Sequence, residues 1–482
     1  MTQPRDDLAA APAPPAPPRP FRPWLTAVFS LVIAAHVVGL PLVWPLFPDS
    51  QTPLERLDRP EESLARLVTR EMDLRAVLRR EAAWEWRIYL ALGGGEDPIR
   101  EAVEWYGELA DAVASATAGL ARLILLAEAG ETDTVSAELD GWAASGEEEL
   151  KMAGWLRAAY LEEPPTQETG RALLHDLRRD LDPGWFRDAL TARLAARIGD
   201  RGAVAQAEAA TLARGRVLLA RLHALAALGI LLVLGGAVAV VAFAARPARL
   251  RVAGSPGPPG WTLAEGYALF ARALGTPLAL SFVLFFVLRT DTPFDTLISM
   301  GADLPLFGWV AWYFARRGTS WPRAFGLAPA RSGALRAAAV AAGLASLAML
   351  GDAGITLAAN ALDIRSHWTD GFFEQMLWEP RWRLAVDSFN VIVWAPVVEE
   401  LSFRGLLFGA LRARLGLWPA ALASAAVFTA AHGYGAIGSA SVFVSGVLWA
   451  VAYERTGSLL PGMLAHSANN LMSTLWTVAM LR

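Results

Sequence analysis

The chain repeats apolar runs close to the length needed to cross a bilayer, and this constrains its fold more than any other feature. About 20 apolar residues in helical form span the hydrocarbon core. Within that core every backbone polar group must be satisfied inside the protein, which selects helices. At 482 residues and 54% hydrophobic content, the sequence holds too many such runs for a water-soluble globule. The expected fold is all-α: a polytopic helical membrane protein with about nine spans and an inserted soluble α-helical domain.

Composition and charge divide the chain. Residues 1–23 form a Pro/Ala-rich tail that cannot bury a core and is expected to be disordered. Residues 24–47 read as an uncleaved transmembrane anchor, since no small-x-small cleavage site follows the apolar stretch. Residues 48–216 place Leu64, Leu67, Leu74 and Leu78 at helical spacing with charges on the opposite face, the pattern of a soluble helical domain. Trp84 with Trp86, and Trp105 with Tyr106, suit either its core or a peptide-binding groove. Residues 217–262 comprise a span and a linker marked by Arg246, Arg249 and Arg251. Basic residues flank both early spans on one side, so 48–216 is expected to be extracytoplasmic. That domain is the expected docking point for any protein partner.

The remaining segment, 263–482, reads as a membrane core with spans near 266–288, 296–315, 335–358, 387–411, 417–434, 437–453 and 459–480. Arg316, Arg317, Arg323, Arg331 and Arg336 mark a cytoplasmic loop. Around residues 365–387, Trp368, Phe372, Phe373, Trp378 and Trp382 suit an interfacial layer outside. The chain contains no Cys, which removes disulfides, thiol nucleophiles and thiolate metal sites. Its net charge of −4 leaves no footprint for nucleic acid.

Chemistry is expected where ionisable groups enter apolar runs, because each charge there costs roughly 2.5–3.5 kcal/mol on insertion scales. Glu399 and Glu400 stand together in such a run. Arg404 follows Glu400 by one helical turn and can pair with it, leaving Glu399 as the freer base. Phe428 and His432 share a face of the next segment, and His466 and Asn470 share a face of the last. A carboxylate, two imidazoles and a carboxamide can hold a water and stabilise an oxyanion. Glu399, His432 and His466 are equally an acceptable zinc set. Upright helices with these boundaries would put the three groups at different depths. His36 and His223 lie in apolar spans without a carboxylate nearby in sequence, and His175 and His367 lie outside the spans.

At these residues the chain resembles the CPBP group of intramembrane proteases, which includes the CAAX-processing endopeptidases and bacterial Abi-type proteins. The shared pattern is Glu-Glu-x-x-x-Arg (Glu399, Glu400, Arg404), then Phe-x-x-x-His (Phe428, His432), then His-x-x-x-Asn (His466, Asn470). The resemblance implies peptide-bond hydrolysis within a bilayer, acting on membrane-associated peptides or proteins. It implies that Glu399 activates water with help from His432, while His466 and Asn470 stabilise the oxyanion. Asn470 is a poor zinc ligand and no His-Glu-x-x-His helix is present, so a metal-free reaction is favoured, with zinc left open. A bacterial cytoplasmic membrane is the expected location. The contrasting expectation is a catalytically silent relative that serves binding, immunity or scaffolding.

Overall fold

The computed structural model describes residues 21–39, 54, 57–94, 98–113, 115–142, 146–246, 250–252, 259–288 and 292–482. Most of the expected tail, residues 40–47 of the expected anchor, Gly95 and Arg249 lie outside the described residues. Every regular element among the described residues is helical. The first helix, α1 (Pro23–Ala34), opens on a proline whose missing N–H costs nothing at that position. An outer bundle follows, built on α2 (Pro60–Leu78), α3 (Pro98–Ala112), α4 (Ala116–Glu128) and α5 (Trp185–Arg197), with shorter helices between α4 and α5.

The 45-residue helix α6 (Arg201–Ala245) leaves this bundle and enters the apolar half. At 1.5 Å per residue it is about 68 Å long. The apolar half continues with α7 (Leu263–Phe282), α8 (Leu304–Arg316) and α9 (Arg331–Ala361). It ends with the helical segment 381–412 (α10), α11 (Leu417–Ala430), α12 (Ala436–Thr456) and α13 (Leu460–Leu481).

Sequence explains the outer bundle well. Pro60 begins α2, and Glu61 and Glu62 occupy its first turn, where the helix dipole favours negative charge. Leu64, Val68, Tyr106, Leu109 and Leu125 are buried in one shared core. Arg214 of α6 joins two carboxylates from different helices. It donates to Asp73 at 2.7 and 2.9 Å and lies 2.7 Å from Asp188. Burial pushes the Asp73 carboxyl up, against the opposing pull of Arg214.

In the apolar half the surface itself is hydrophobic. Ile230, Leu231, Leu234, Val238 and Val241 of α6 are all more than half exposed, a row suited to lipid rather than water. Among the described residues, α6, α7, α9 and α12 are long and apolar enough to cross a membrane. The other expected spans depart from that pattern for visible reasons. Helix α8 has 13 residues and α11 has 14. Helix α10 opens on Arg381, Arg383 and Asp387, and His466, Asn469 and Asn470 interrupt α13.

The outer bundle also shares its core with a loop of the membrane half. Trp368 is buried with Leu64 and Tyr106 rather than lying in an interfacial layer. Buried Glu374 accepts from the backbone N–H groups of Asp58 and Arg59, both at 2.7 Å, and from Ser63 Oγ at 2.9 Å. Arg482 donates to Met376 O at 3.1 Å and Glu379 O at 2.8 Å, fastening the end of α13 to the same loop. Residues 48–216 are therefore stitched to the loop ahead of α10, a relation that separation in sequence concealed.

Inside the apolar half, α6 and α9 meet through small residues, as membrane helices do when close backbone approach replaces a hydrophobic drive. Ser346 Oγ donates to Val233 O at 3.0 Å. A Cβ on Gly236 would collide with Ala342 O, whereas one on the adjacent Gly235 would meet nothing within 4 Å. Gly236→Ala should therefore lower the thermal stability of the detergent-purified protein by about 1–3 kcal/mol, and Gly235→Ala should leave it unchanged. Equal melting curves for the two variants would contradict this crossing.

Candidate active site

The site is built on α10, which is not a uniform helix. Residues Asn390–Trp394 and Glu400–Phe408 are wound with i→i+5 hydrogen bonds, and Ala395–Glu399 between them is α-helical. Pro396 lacks an N–H, so one rung of the regular ladder is missing where the winding changes. Wide turns of this kind also occur away from the site, at Arg157–Leu161 and Val283–Val287, so their importance in α10 lies in the residues they carry. Here the second one begins between the two carboxylates.

Glu400 and Arg404 are fully enclosed, with Arg404 Nη1 2.9 Å from Glu400 Oε1. The pair is an ion contact without an aligned hydrogen bond. The guanidinium gains a second partner in the Phe428 ring, whose centroid lies 4.0 Å from Cζ. Glycines make room for both groups. A Cβ on Gly446 of α12 would stand 2.9 Å from Arg404 Nη2, and one on Gly462 of α13 would stand 3.0 Å from Glu400 Oε2.

Glu399 differs from its neighbour in access. Its side chain is 26% exposed against 1% for Glu400, so it is the carboxylate that a water or substrate can reach. Two imidazoles face it. His432 Nε2 lies 3.9 Å and His466 Nε2 3.7 Å from Glu399 Oε2. His432 Nδ1 is 2.7 Å from Phe428 O. A carbonyl only accepts, so Nδ1 carries a proton and the ring turns its other nitrogen, Nε2, toward Glu399. His466 Nδ1 lies 3.4 Å from Glu400 Oε1, and its ring stacks on Trp449.

These contacts resolve the depth problem. Helix α11 ends at Ala430, and His432 sits in the following turn, closed by Gly433 at φ 64° in the left-handed region. The imidazole therefore hangs from a helix end and reaches Glu399 in the middle of α10. Phe428 is the buried post on which this end rests, 4.5 Å between centroids from His432 and 5.0 Å from Phe403.

Asn470 is held differently. Its Nδ2 donates to Val391 O at 2.8 Å, tying α13 to the first wide turn of α10 rather than contacting a carboxylate. Ser402 Oγ donates to Val398 O at 2.7 Å within its own helix. Sequence reasoning missed three neighbours. Trp394 Nε1 donates to Asp303 Oδ2 at 2.8 Å, and the Tyr434 ring lies 5.5 Å between centroids from His432. A lone acid in the apolar run 296–315 and a tyrosine set between Gly433 and Gly435 were the available signals. His223 and His367 each meet a carboxylate remote in sequence, Glu85 at 2.9 Å and Glu108 at 2.8 Å.

Among the described residues, no group of three or more His, Asp or Glu side chains is arranged to hold a metal ion. Donors about 2.0–2.2 Å from one tetrahedral zinc stand roughly 3.4 Å apart. The Glu399–His separations of 3.7 and 3.9 Å exceed that. As arranged, these groups stand wider apart than the donors of a zinc site, and no step below passes through a metal.

Residues 381–472 match the family model described as Type II CAAX prenyl endopeptidase Rce1-like. The match covers well under half of the chain and contains every residue of the site on α10, α11 and α13. No curated protein and no solved structure matches the chain. Residues 381–472 of this helical membrane protein are thus similar to the Rce1-like type II CAAX prenyl endopeptidases.

Proposed function

We propose that the chain is an intramembrane endopeptidase that hydrolyses peptide bonds of membrane-associated substrates with a water activated by Glu399. The observation that carries this reading is the approach of His432 Nε2 and His466 Nε2 to one oxygen of the accessible carboxylate. A water between Glu399 and His432 loses its proton to Glu399 as its oxygen attacks the scissile carbonyl carbon. The carbonyl π electrons move to oxygen. His466 is the nearer candidate donor to that oxyanion, with Asn470 as a second donor if it leaves Val391 O. Collapse breaks the C–N bond, and the proton held by Glu399 passes to the departing amine. The products are a carboxylic acid and an amine.

The wider setting is proposed on the same footing: about nine spans in a bacterial cytoplasmic membrane, with residues 48–216 outside. Basic residues beside both early spans support that orientation. The family's title refers to prenyl substrates, whereas the reading here commits only to a peptide presented at the membrane. It also requires no metal.

Glu399→Ala and His432→Ala should each reduce cleavage of a membrane-proteome library by about 10²-fold or more while the protein stays folded. Retention of more than about a tenth of the activity in either variant would remove that residue from the mechanism. Glu400→Gln should be milder, because the residue is sealed from the water.

Arg404→Ala should destabilise the protein by about 3–5 kcal/mol, since it strands a buried carboxylate. The double variant Glu400→Leu/Arg404→Met should recover most of that stability in thermal unfolding. A double variant as unstable as the single one would show that the ion pair is not what matters there.

A strong zinc chelator should leave cleavage within about twofold of the untreated rate, because the proposed general base needs no Lewis acid. Loss of activity that zinc restores would replace the metal-free reading with a metal-dependent one.

A further inference from the structure

The outer bundle contains a cavity of about 680 Å³ bounded by α2, α3, α4 and the loop entering α5. This lies within the range of sites that enclose a ligand. Its floor is apolar, formed by Tyr106, Ile124, Met152 and Phe186, while Glu61, Glu62, Glu148 and Asp182 line its walls and mouth. Glu62, Glu148 and Asp182 are exposed and carry no ion pair among the described residues. Asp180 also borders the cavity but is already paired with Lys151. Two guanidinium groups are present, Arg66 and Arg187. Arg66 is engaged elsewhere, 5.1 Å over the Trp378 ring and donating to Leu481 O at 3.5 Å.

An acidic rim alone would be a solvated surface. The second observation is Tyr106, which is 1% exposed and whose hydroxyl has no hydrogen-bond partner among the described residues. Leaving a buried hydroxyl unpaired costs about 1–3 kcal/mol. Burial and the Glu61 carboxylate push the phenol well above its ordinary range, so it remains a donor. Glu61 has one oxygen accepting from Ser115 Oγ at 2.7 Å. The cavity thus combines an apolar floor, an unpaired donor and an excess of unpaired carboxylates. Its wall includes Trp378, in the loop that leads directly into α10.

We infer that this cavity recognises a cationic segment of a polypeptide substrate, seating one apolar side chain on the Tyr106–Phe186 floor and holding flanking lysine or arginine side chains at Glu62, Glu148 and Asp182. Charge complementarity selects the occupant. A free backbone carbonyl of the segment accepts from the Tyr106 hydroxyl. The inference rests on the endopeptidase reading for what the segment belongs to, whereas binding itself requires no turnover.

The test uses the full-length chain carrying Glu399→Gln in zwitterionic nanodiscs, with empty nanodiscs as the blank. Three fluorescent decapeptides are compared by anisotropy, each with a central leucine, one alternating Lys and Ser, one Glu and Ser, and one Ser alone. The lysine peptide should bind at least about tenfold more tightly than the others, and Glu62→Lys/Glu148→Lys should erase that preference. Added salt should weaken it. Tyr106→Phe should weaken binding about threefold or more, the scale of one hydrogen bond.

Equal affinity for the three peptides, or full binding by the charge-reversed variant, would overturn the inference. So would spermine competing as well as the lysine peptide, since the site would then hold a small polyamine. Cleavage by the wild type without this binding would sink the recognition site alone. Binding without any cleavage by the wild type would sink the endopeptidase reading and leave the site standing.

Discussion

The arrangement depends on one buried ion pair, Glu400 with Arg404, placed where neither group meets solvent. Enclosing two charges is costly, and their attraction offsets that cost only when the surroundings are shaped around them. Four helical elements supply the shape. Helix α10 carries both groups, α11 lays Phe428 under the guanidinium, and α12 and α13 approach closely because Gly446 and Gly462 have no side chain. Once those helices converge, His466 is brought against both carboxylates and His432 arrives from the end of α11. The pair is thus an organiser, and the chemistry falls to its more accessible neighbour.

Adjacent residues on a regular helix diverge by about 100°, which would turn Glu399 and Glu400 toward different partners. The i→i+5 turn that begins at Glu400 packs more residues into each turn and reduces that divergence. His466 consequently touches both carboxylates through opposite ring nitrogens. Two chemically identical side chains then differ in access, one sealed and one partly open.

The helical character of the chain was legible because apolar length has few solutions in a bilayer, and the site was legible because ionisable residues in apolar runs need partners. Spacing correctly paired Glu400 with Arg404 and placed Phe428 beneath His432. It did not give the depth of His432, which follows from where α11 stops, a matter of a turn glycine rather than of hydrophobicity. Nor could it assign Trp368 and Glu374 to the outer bundle, since nothing local separates a tryptophan at a lipid interface from one in a core 300 residues distant. Asn470 illustrates a further limit. Its spacing from His466 indicated a shared face, and the contact it makes there is with a backbone carbonyl.

Both halves of the molecule share α6 as a common shaft, and this makes its length a matter of angular phase. Each residue of an α-helix advances the chain by about 100° of rotation and 1.5 Å of rise. One residue added between the Arg214 cluster and the lipid-facing row would swing that row by about a quarter turn relative to the outer bundle. The loop holding Trp368 and Glu374 would have to twist to stay attached. Changes of about seven residues, close to two full turns, restore the azimuth and alter mainly height. Insertions in this helix should therefore be tolerated in steps of that size, as with teeth on a gear.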